Sequence, residues 1–128
     1  MVGKGISMEQ FHERVGLPVT LQSEFERPTL ISSYRLGVGP YGEDSTGRMP
    51  KRWRLLGSED GETWRIVDTR SDQTGWQNGE QRVYRLAKPG RYKYLRLEVS
   101  DVANGSDIFR LSSIRYFTPR VGTPRRGC

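Results

Sequence analysis

The sequence has little cysteine, little histidine and no long apolar run, and each shortage excludes a class of protein. Its one cysteine, Cys128, is the last of 128 residues and has no partner within its own chain, which excludes an internal disulfide scaffold. No stretch approaches the roughly 20 apolar residues that a membrane-spanning helix needs. The first residues, Met1–Ser7, lack the apolar core of a secretory signal, so we expect neither export by such a signal nor a membrane span.

Few residues are suited to catalysis or metal binding. His12 is the single histidine, so a catalytic triad or a histidine-ligated metal would depend on it alone. Cys128 has no base nearby in the sequence to activate it. The adjacent acids at 43–44 and 59–60 lie among glycines, where acids usually form turns. The sequence therefore predicts a protein that is not an enzyme and holds no metal or other cofactor.

The charge is strongly basic, with 21 lysines and arginines against 15 acids and a net charge of +6. Two segments concentrate the cations: Arg48–Arg54 holds four of them, and Thr118–Cys128 holds three with no acid. This balance favours anionic partners such as acidic glycans or acidic protein surfaces. Only the charge points to nucleic acid, which we do not expect as the partner.

Alternation of apolar and polar residues dominates the chain after Pro18. Helical spacing is confined to the start, where Ser7–Gln10 resembles a capping box and predicts a short helix from about Ser7 to Val15. Beyond it, the period of two predicts half-buried strands. The predicted strands are Val19–Phe25, Tyr34–Val38, Lys51–Gly57, Thr63–Asp68, Val83–Leu86, Leu95–Val99 and Ile108–Phe117.

One hairpin is predicted directly by its turn. Asp60-Gly61 is a strong hairpin signal, since glycine accepts a positive φ, and it should join the strands Lys51–Gly57 and Thr63–Asp68. The apolar side chains expected to face one core across this hairpin are Trp53, Leu55, Trp64 and Ile66.

Short strands separated by glycine, proline, asparagine and aspartate turns, with almost no helix, predict an all-β fold. The expected architecture is an antiparallel β-sandwich or jelly roll in one domain. We divide the chain into an N-terminal extension with the short helix (1–17), the β-sandwich (18–117) and a loose basic C-terminal tail (118–128).

Three segments resemble the discoidin family, the coagulation-factor (F5/8) type C domains. Pro50–Trp64 is similar to the family's "P-x-x-W-x-L-x-G-S-x-D-G-x-x-W" hairpin, Tyr92–Leu97 to its "Y-x-Y-x-R-L" strand, and Leu111–Phe117 to its closing strand. The resemblance implies a galactose-binding-like jelly roll that binds sugars, lipids or proteins through variable loops at one end. Met1–Leu17 replaces a segment that helps to build the family's calcium site, and Ser113 stands where a glutamate ligand is common, so we do not expect calcium.

The predicted loops supply the candidate binding residues. Tyr41 and Trp76 stand among polar residues, where a ring either stacks on the apolar face of a sugar or folds down as a lid over the core. Amides and arginines nearby would hold hydroxyl or acidic groups. The full candidate set is Tyr41, Arg48, Arg70, Trp76, Asn78, Asn104 and Asp107.

Two functions from different classes remain open on the sequence. The first is a non-catalytic module that binds a carbohydrate, for example a host-surface glycan. The second is a structural or decoration component of a larger assembly, such as a phage or viral particle, attached to other chains through the N-terminal segment and the basic tail. We expect a virion or an extracellular place reached by lysis rather than the cytoplasm, and there Cys128 would be available for an intermolecular disulfide.

Overall fold

A computed structural model describes residues 11–13, 17–38, 44–103, 105, 109–111 and 113–119. These residues form one short helix and seven strands. The elements are β1 (Phe11–Glu13), β2 (Val19–Gly37), α1 (Asp44–Gly47), β3 (Pro50–Ser58), β4 (Arg65–Arg70), β5 (Gln81–Val102), β6 (Phe109–Leu111) and β7 (Ser113–Phe117).

Five of the strands form one antiparallel sheet in the order β4-β3-β5-β2-β7, and β1 pairs separately with β6. The long strands β2 and β5 make a ribbon in which Val19 lies opposite Val99 at one end and Gly37 opposite Gln81 at the other. The register of β2 against β5 shifts between Glu24 and Thr29 and again between Ile31 and Ser33, near the middle of the ribbon. Such irregularities bend a strand, so the ribbon turns near its centre.

The sheet folds back on itself to make a sandwich. Two strands separate β2 from β4, about 14 Å in a flat sheet. Nevertheless, the Tyr34 hydroxyl on β2 donates to Asp68 Oδ2 on β4 at 2.5 Å and accepts from Trp53 Nε1 on β3 at 2.8 Å. One layer, which we call the four-strand layer, contains β4, β3, residues 91–102 of β5 and residues 19–24 of β2. The other, the three-strand layer, contains residues 81–86 of β5, residues 33–37 of β2, and β7.

Apolar residues of both layers meet in one core, as the alternation predicts. Along β2, Val19, Leu21 and Phe25 are buried, whereas Gln22 and Glu24 are exposed. The largest fully buried side chains are Trp53, Tyr34, Tyr116, Ile31, Leu36, Met49, Leu55, Leu95, Leu97, Leu111 and Ile114. The predicted all-β sandwich is therefore confirmed.

The predicted hairpin joins β3 to β4. Gly61 takes the positive φ of 81° that the Asp-Gly signal requires. Asp60 Oδ1 accepts hydrogen bonds from the backbone N–H groups of Glu62 and Thr63 at 2.8 and 2.9 Å. The hydrogen bonds from Thr63 and then Glu62 hold the pKa of the Asp60 carboxyl below its usual value. The turn is thus built by the side chain of Asp60 and the backbone of Gly61.

The prediction for the inward face of this hairpin is half wrong. Trp53 and Leu55 are buried, but Ile66 is 56% exposed. The reason is a β-bulge: Leu55 lies opposite Asp68, whereas Leu56 lies opposite Ile66, so one extra residue on β4 reverses the side to which Ile66 points. Trp64 is half-buried instead of in the core, with the guanidinium carbon of Arg96 at 3.9 Å from its ring centroid.

Most of the predicted N-terminal helix lies outside the described residues. Its described part, Phe11–Glu13, is a β-strand that pairs with Phe109–Leu111. A helix of two turns leaves most of its terminal backbone groups unsatisfied, whereas pairing with a neighbouring strand satisfies them. Cys128 and residues 120–127 of the predicted tail also lie outside the described residues, and the domain boundaries stay a prediction.

Candidate functional site

Three loops meet at one end of the sandwich, which we call the loop end. They follow β2, β4 and β5. The N–H of Val38 after β2 donates to the Glu80 carbonyl in the β4–β5 loop at 2.9 Å. The N–H of Ala103 after β5 donates to the carbonyl of Met49, just before β3, at 2.9 Å. The ends of the bent ribbon thus bring together segments that lie far apart in the sequence.

All four candidate residues that the structure describes lie at this loop end. Arg70 is the last residue of β4, Trp76 and Asn78 are in the loop that follows, and Arg48 comes just before β3. Asn78 is exposed, and Arg48 and Arg70 are half-buried. The other three candidates lie outside the described residues: Tyr41, Asn104 and Asp107.

Trp76 is a lid over the core, which is one of the two arrangements that the sequence left open. The side chain is only 3% exposed, and its Nε1 donates to the Pro50 carbonyl at 3.2 Å. The guanidinium carbon of Arg82 lies 4.0 Å from the ring centroid. Arg82 is itself held by Glu80 at 2.7 Å and by the Thr74 carbonyl at 2.9 Å. Burying so large a ring gains more free energy than leaving it in water, which is why the loop folds over it.

Arg70 is committed to the protein's own groups. Its Nε lies 2.9 Å from Asp68 Oδ2, its Nη2 donates to the Arg85 carbonyl at 2.9 Å, and its guanidinium carbon lies 5.0 Å from the centroid of the Tyr84 ring. Burial disfavours the charge of Arg70, but the hydrogen bond and the charge of Asp68 outweigh it, so the pKa of Arg70 lies above its ordinary value. Arg70 therefore anchors the loop end more than it offers itself to a ligand.

The acceptor for Arg70 belongs to a buried polar network that the sequence analysis missed. Asp68 accepts from both Arg70 and Tyr34, and Tyr34 accepts from Trp53. Burial first, and then the hydrogen bond to Asp68, raise the pKa of the Tyr34 hydroxyl far above its ordinary value. The signal available in the sequence was an aspartate two positions before an arginine in a strand, which places both on one face when the strand is regular there.

The described part of the loop end offers exposed hydrogen-bonding groups. Residues 71, 72, 74, 77 and 78 are exposed and carry hydroxyl, carboxylate and amide groups. Among the described residues no three histidines, cysteines or acids come together in a way that could hold a metal ion. No helix among the residues described is long and apolar enough to cross a membrane.

Several solved structures share this fold. A family 32 carbohydrate-binding module of Streptococcus pneumoniae EndoD has a TM-score of 0.69 at 16% identity, over 86% of this chain and 75% of its own. The module CpGH89CBM32-5 of Clostridium perfringens, solved in complex with GalNAc-β-1,3-galactose, has a TM-score of 0.66 at 13% identity, over 90% and 94%. An F5/8 type C domain of Bacteroides fragilis has a TM-score of 0.64 at 11% identity, over 80% and 69%.

The chain has the galactose-binding-like jelly-roll fold of family 32 carbohydrate-binding modules and F5/8 type C domains. The resemblance drawn from the hairpin and closing-strand motifs is confirmed at the level of the fold. No protein-family model matches the sequence, and no curated protein matches it.

Proposed function

We propose that the protein is a non-catalytic carbohydrate-binding module that holds a neutral sugar at the loop end. The observation that carries the proposal is the fold, which it shares with modules that bind carbohydrate, one of them solved with GalNAc-β-1,3-galactose. A fold does not fix a ligand, so the site must be argued from its side chains.

The described part of the loop end supports this proposal through rigidity and polar groups. Trp76, Arg82 and Glu80 fasten the β4–β5 loop to the core, so the exposed amide of Asn78 is presented from an ordered turn. Ordered loops lose little conformational entropy on binding, which favours recognition of a small ligand. Arg48, between α1 and β3, is a further candidate at the loop end, and Tyr41, Asn104 and Asp107 are proposed to complete the site.

The experiment is a binding titration of the full chain with galactose and with GalNAc-β-1,3-galactose. A shallow site for one or two sugars has a Kd of about 1 µM to 1 mM. Replacing Asn78 by alanine removes an exposed amide without touching the core, and about tenfold weaker binding is expected from the loss of its hydrogen bonds to sugar hydroxyls.

The matched control is Glu62→Ala, an exposed change in the hairpin turn at the other end of the sandwich. It should leave sugar binding unchanged. Equal binding by both variants would move the site away from the loop end, and absence of binding to a panel of neutral glycans would overturn the proposal. Nothing in the comparisons supports attachment to a viral or phage particle, which stays a prediction.

A further inference from the structure

The outer face of the three-strand layer concentrates positive charge. Tyr34 and Leu36 point into the core, so Arg35 between them points outward. On this face Arg35 lies opposite Arg115 of β7 on one side and opposite Val83 of β5 on the other. In the next row Arg85 lies opposite Ser33. Three strands thus bring Arg35, Arg85 and Arg115 onto one surface, which we call the arginine face.

No acid of the described residues neutralises the arginine face. The segments that form it, 29–37, 81–86 and 113–119, contain no aspartate or glutamate. Among the ion pairs and hydrogen bonds of the described residues, none involves the guanidinium of Arg35, Arg85 or Arg115. The arginine face therefore carries positive charge that no acid of the described residues balances.

Two of these arginines are held in a fixed position without a polar partner. The Nε atoms of Arg35 and Arg115 are buried and have no hydrogen-bond partner in the part of the chain that is described. Both guanidinium groups lie over the same ring, that of Phe117, at 5.5 and 5.9 Å from its centroid. The ring orients the two groups without neutralising their charge.

This arrangement of arginines destabilises the protein when no ligand is bound. Like charges directly opposite each other across two strands are destabilising, and a buried donor without an acceptor adds a desolvation cost. An anion that accepts hydrogen bonds from the terminal guanidinium nitrogens of Arg35 and Arg115 would relieve the repulsion between the two charges. Guanidinium groups match sulfate and carboxylate oxygens in a bidentate geometry.

The surroundings of the arginines suit a sugar polymer. Val83 is 56% exposed beside Arg35 and offers an apolar surface to the C–H face of a sugar. A groove of about 460 Å³ lies at the Arg85 edge of the face, with Ser33, Val83 and Thr118 also among its lining residues. Hydroxyls, cations and a small apolar contact along an open groove are the groups that an extended acidic glycan can engage.

Nucleic acid is a poorer match to the same surface. Binding of single strands relies on aromatic rings that stack on bases. Tyr34, Tyr84 and Tyr116 of this layer are buried, and the ring of Phe117 is flanked by two guanidinium groups. The described part of the face therefore offers charge without a stacking platform.

We propose that the arginine face is a second binding site, specific for the sulfate or carboxylate groups of an acidic polysaccharide. It deepens the proposed function by naming a further ligand class, and it uses residues that the loop end does not. One chain would then bind neutral sugar at the loop end and an acidic glycan on the flank.

The test compares the full chain with Arg35→Gln/Arg115→Gln. The probes are a heparin oligosaccharide, the same oligosaccharide after desulfation, a single-stranded DNA of equal charge, and GalNAc-β-1,3-galactose. We expect the unmodified chain to prefer sulfated heparin, and the double variant to bind it at least about tenfold more weakly. Disaccharide binding should not change.

The matched control is Arg27→Gln/Arg65→Gln, which lowers the net charge equally by removing two exposed arginines away from the arginine face. Less than about a twofold change in heparin affinity is expected, because distant exposed charges are screened. The single variant Arg85→Gln, an exposed position, serves if the double variant does not fold, and should weaken heparin binding about threefold or more.

Equal losses in the two double variants, or DNA binding as tight as heparin binding, would overturn the arginine face as a glycan site. Heparin binding that is absent while the disaccharide still binds would overturn this inference alone. Disaccharide binding that is absent while heparin shows the expected pattern would overturn only the neutral-sugar site at the loop end.

Discussion

The two outer faces of the sandwich differ in how their cations are paired with acids. On the four-strand layer, Arg54 is bound to Glu98 at 2.6 Å, Arg52 pairs with Asp101, and Lys93 lies 3.7 Å from Glu24. On the three-strand layer, the three arginines of the arginine face have no acid among the described residues. Local cation density in the sequence is therefore a poor guide to unpaired positive charge on the surface.

The fold pairs half of the cation cluster that is conspicuous in the sequence. Arg48–Arg54 has four cations in seven residues, yet β5 supplies acids to two of them. The residues of the arginine face are 30 or more positions apart in the sequence, and only strand pairing gathers them. Surface pairs of this kind contribute about 0 to 1 kcal/mol each, so the difference between the faces concerns binding more than stability.

The largest expected effect tests whether both faces rest on one shared core. Trp53→Ala should lower the free energy of unfolding by about 3 to 5 kcal/mol, because it opens a cavity and leaves Tyr34 without its donor. Arg54→Ala, the next residue but on the outer face, should cost less than about 1 kcal/mol. Denaturant unfolding measures both, and equal losses would contradict a core that joins the two layers.

Adding a single acid to the arginine face should pair its charge, as acids do on the outer face of the four-strand layer. Val83→Glu places a carboxylate directly opposite Arg35 on an exposed position, so heparin affinity should fall about tenfold. Unfolding free energy should stay constant or rise by about 0.2 to 1 kcal/mol, since opposite charges across strands stabilise a sheet. Val83→Gln is the neutral control, and an equal loss in that variant would show that the charge is not the cause.

The reverse experiment removes the acids that pair with arginines on the outer face of the four-strand layer. Glu98→Gln/Asp101→Asn frees Arg54 and Arg52 and should make the protein elute from heparin at somewhat higher salt, at a cost below about 1 kcal/mol per pair. If this variant also carried Arg35→Gln/Arg115→Gln and still bound heparin as the unmodified chain does, net charge alone would explain binding.

The smallest effect concerns Glu80 and Arg82, the ion pair nearest to the arginine face on β5. The hydrogen bond from Arg82 holds the pKa of the Glu80 carboxyl below its ordinary 4.5. The stabilisation by the Glu80–Arg82 pair is therefore fully present above pH 4.5, and it is lost as the pH falls through the lower pKa that Glu80 has in the folded protein. Glu80→Gln should unfold with a weaker acid dependence below about pH 4.5 than the unmodified chain, by less than about 1 kcal/mol in all. Identical acid unfolding curves would rule out this linkage.

Some parts of the molecule were predictable because their causes are local. The Asp60-Gly61 turn depends on one side chain and one positive φ, and the buried positions of β2 follow from a period of two. Trp76 could be read as an exposed platform or as a lid, because its neighbours are polar along the chain. Only its contacts with the Pro50 carbonyl and the Arg82 guanidinium make it a lid.

An all-β chain and the β3–β4 hairpin follow from the sequence alone, since alternation and turn chemistry act between residues close in the sequence. The tertiary structure decided the rest. A single bulge turns Ile66 outward, and the register of three strands places Arg35 beside Arg115, where no described acid pairs with either arginine. Burial and charge pairing depend on partners supplied by distant strands, and their positions follow from register and bending rather than from any local pattern.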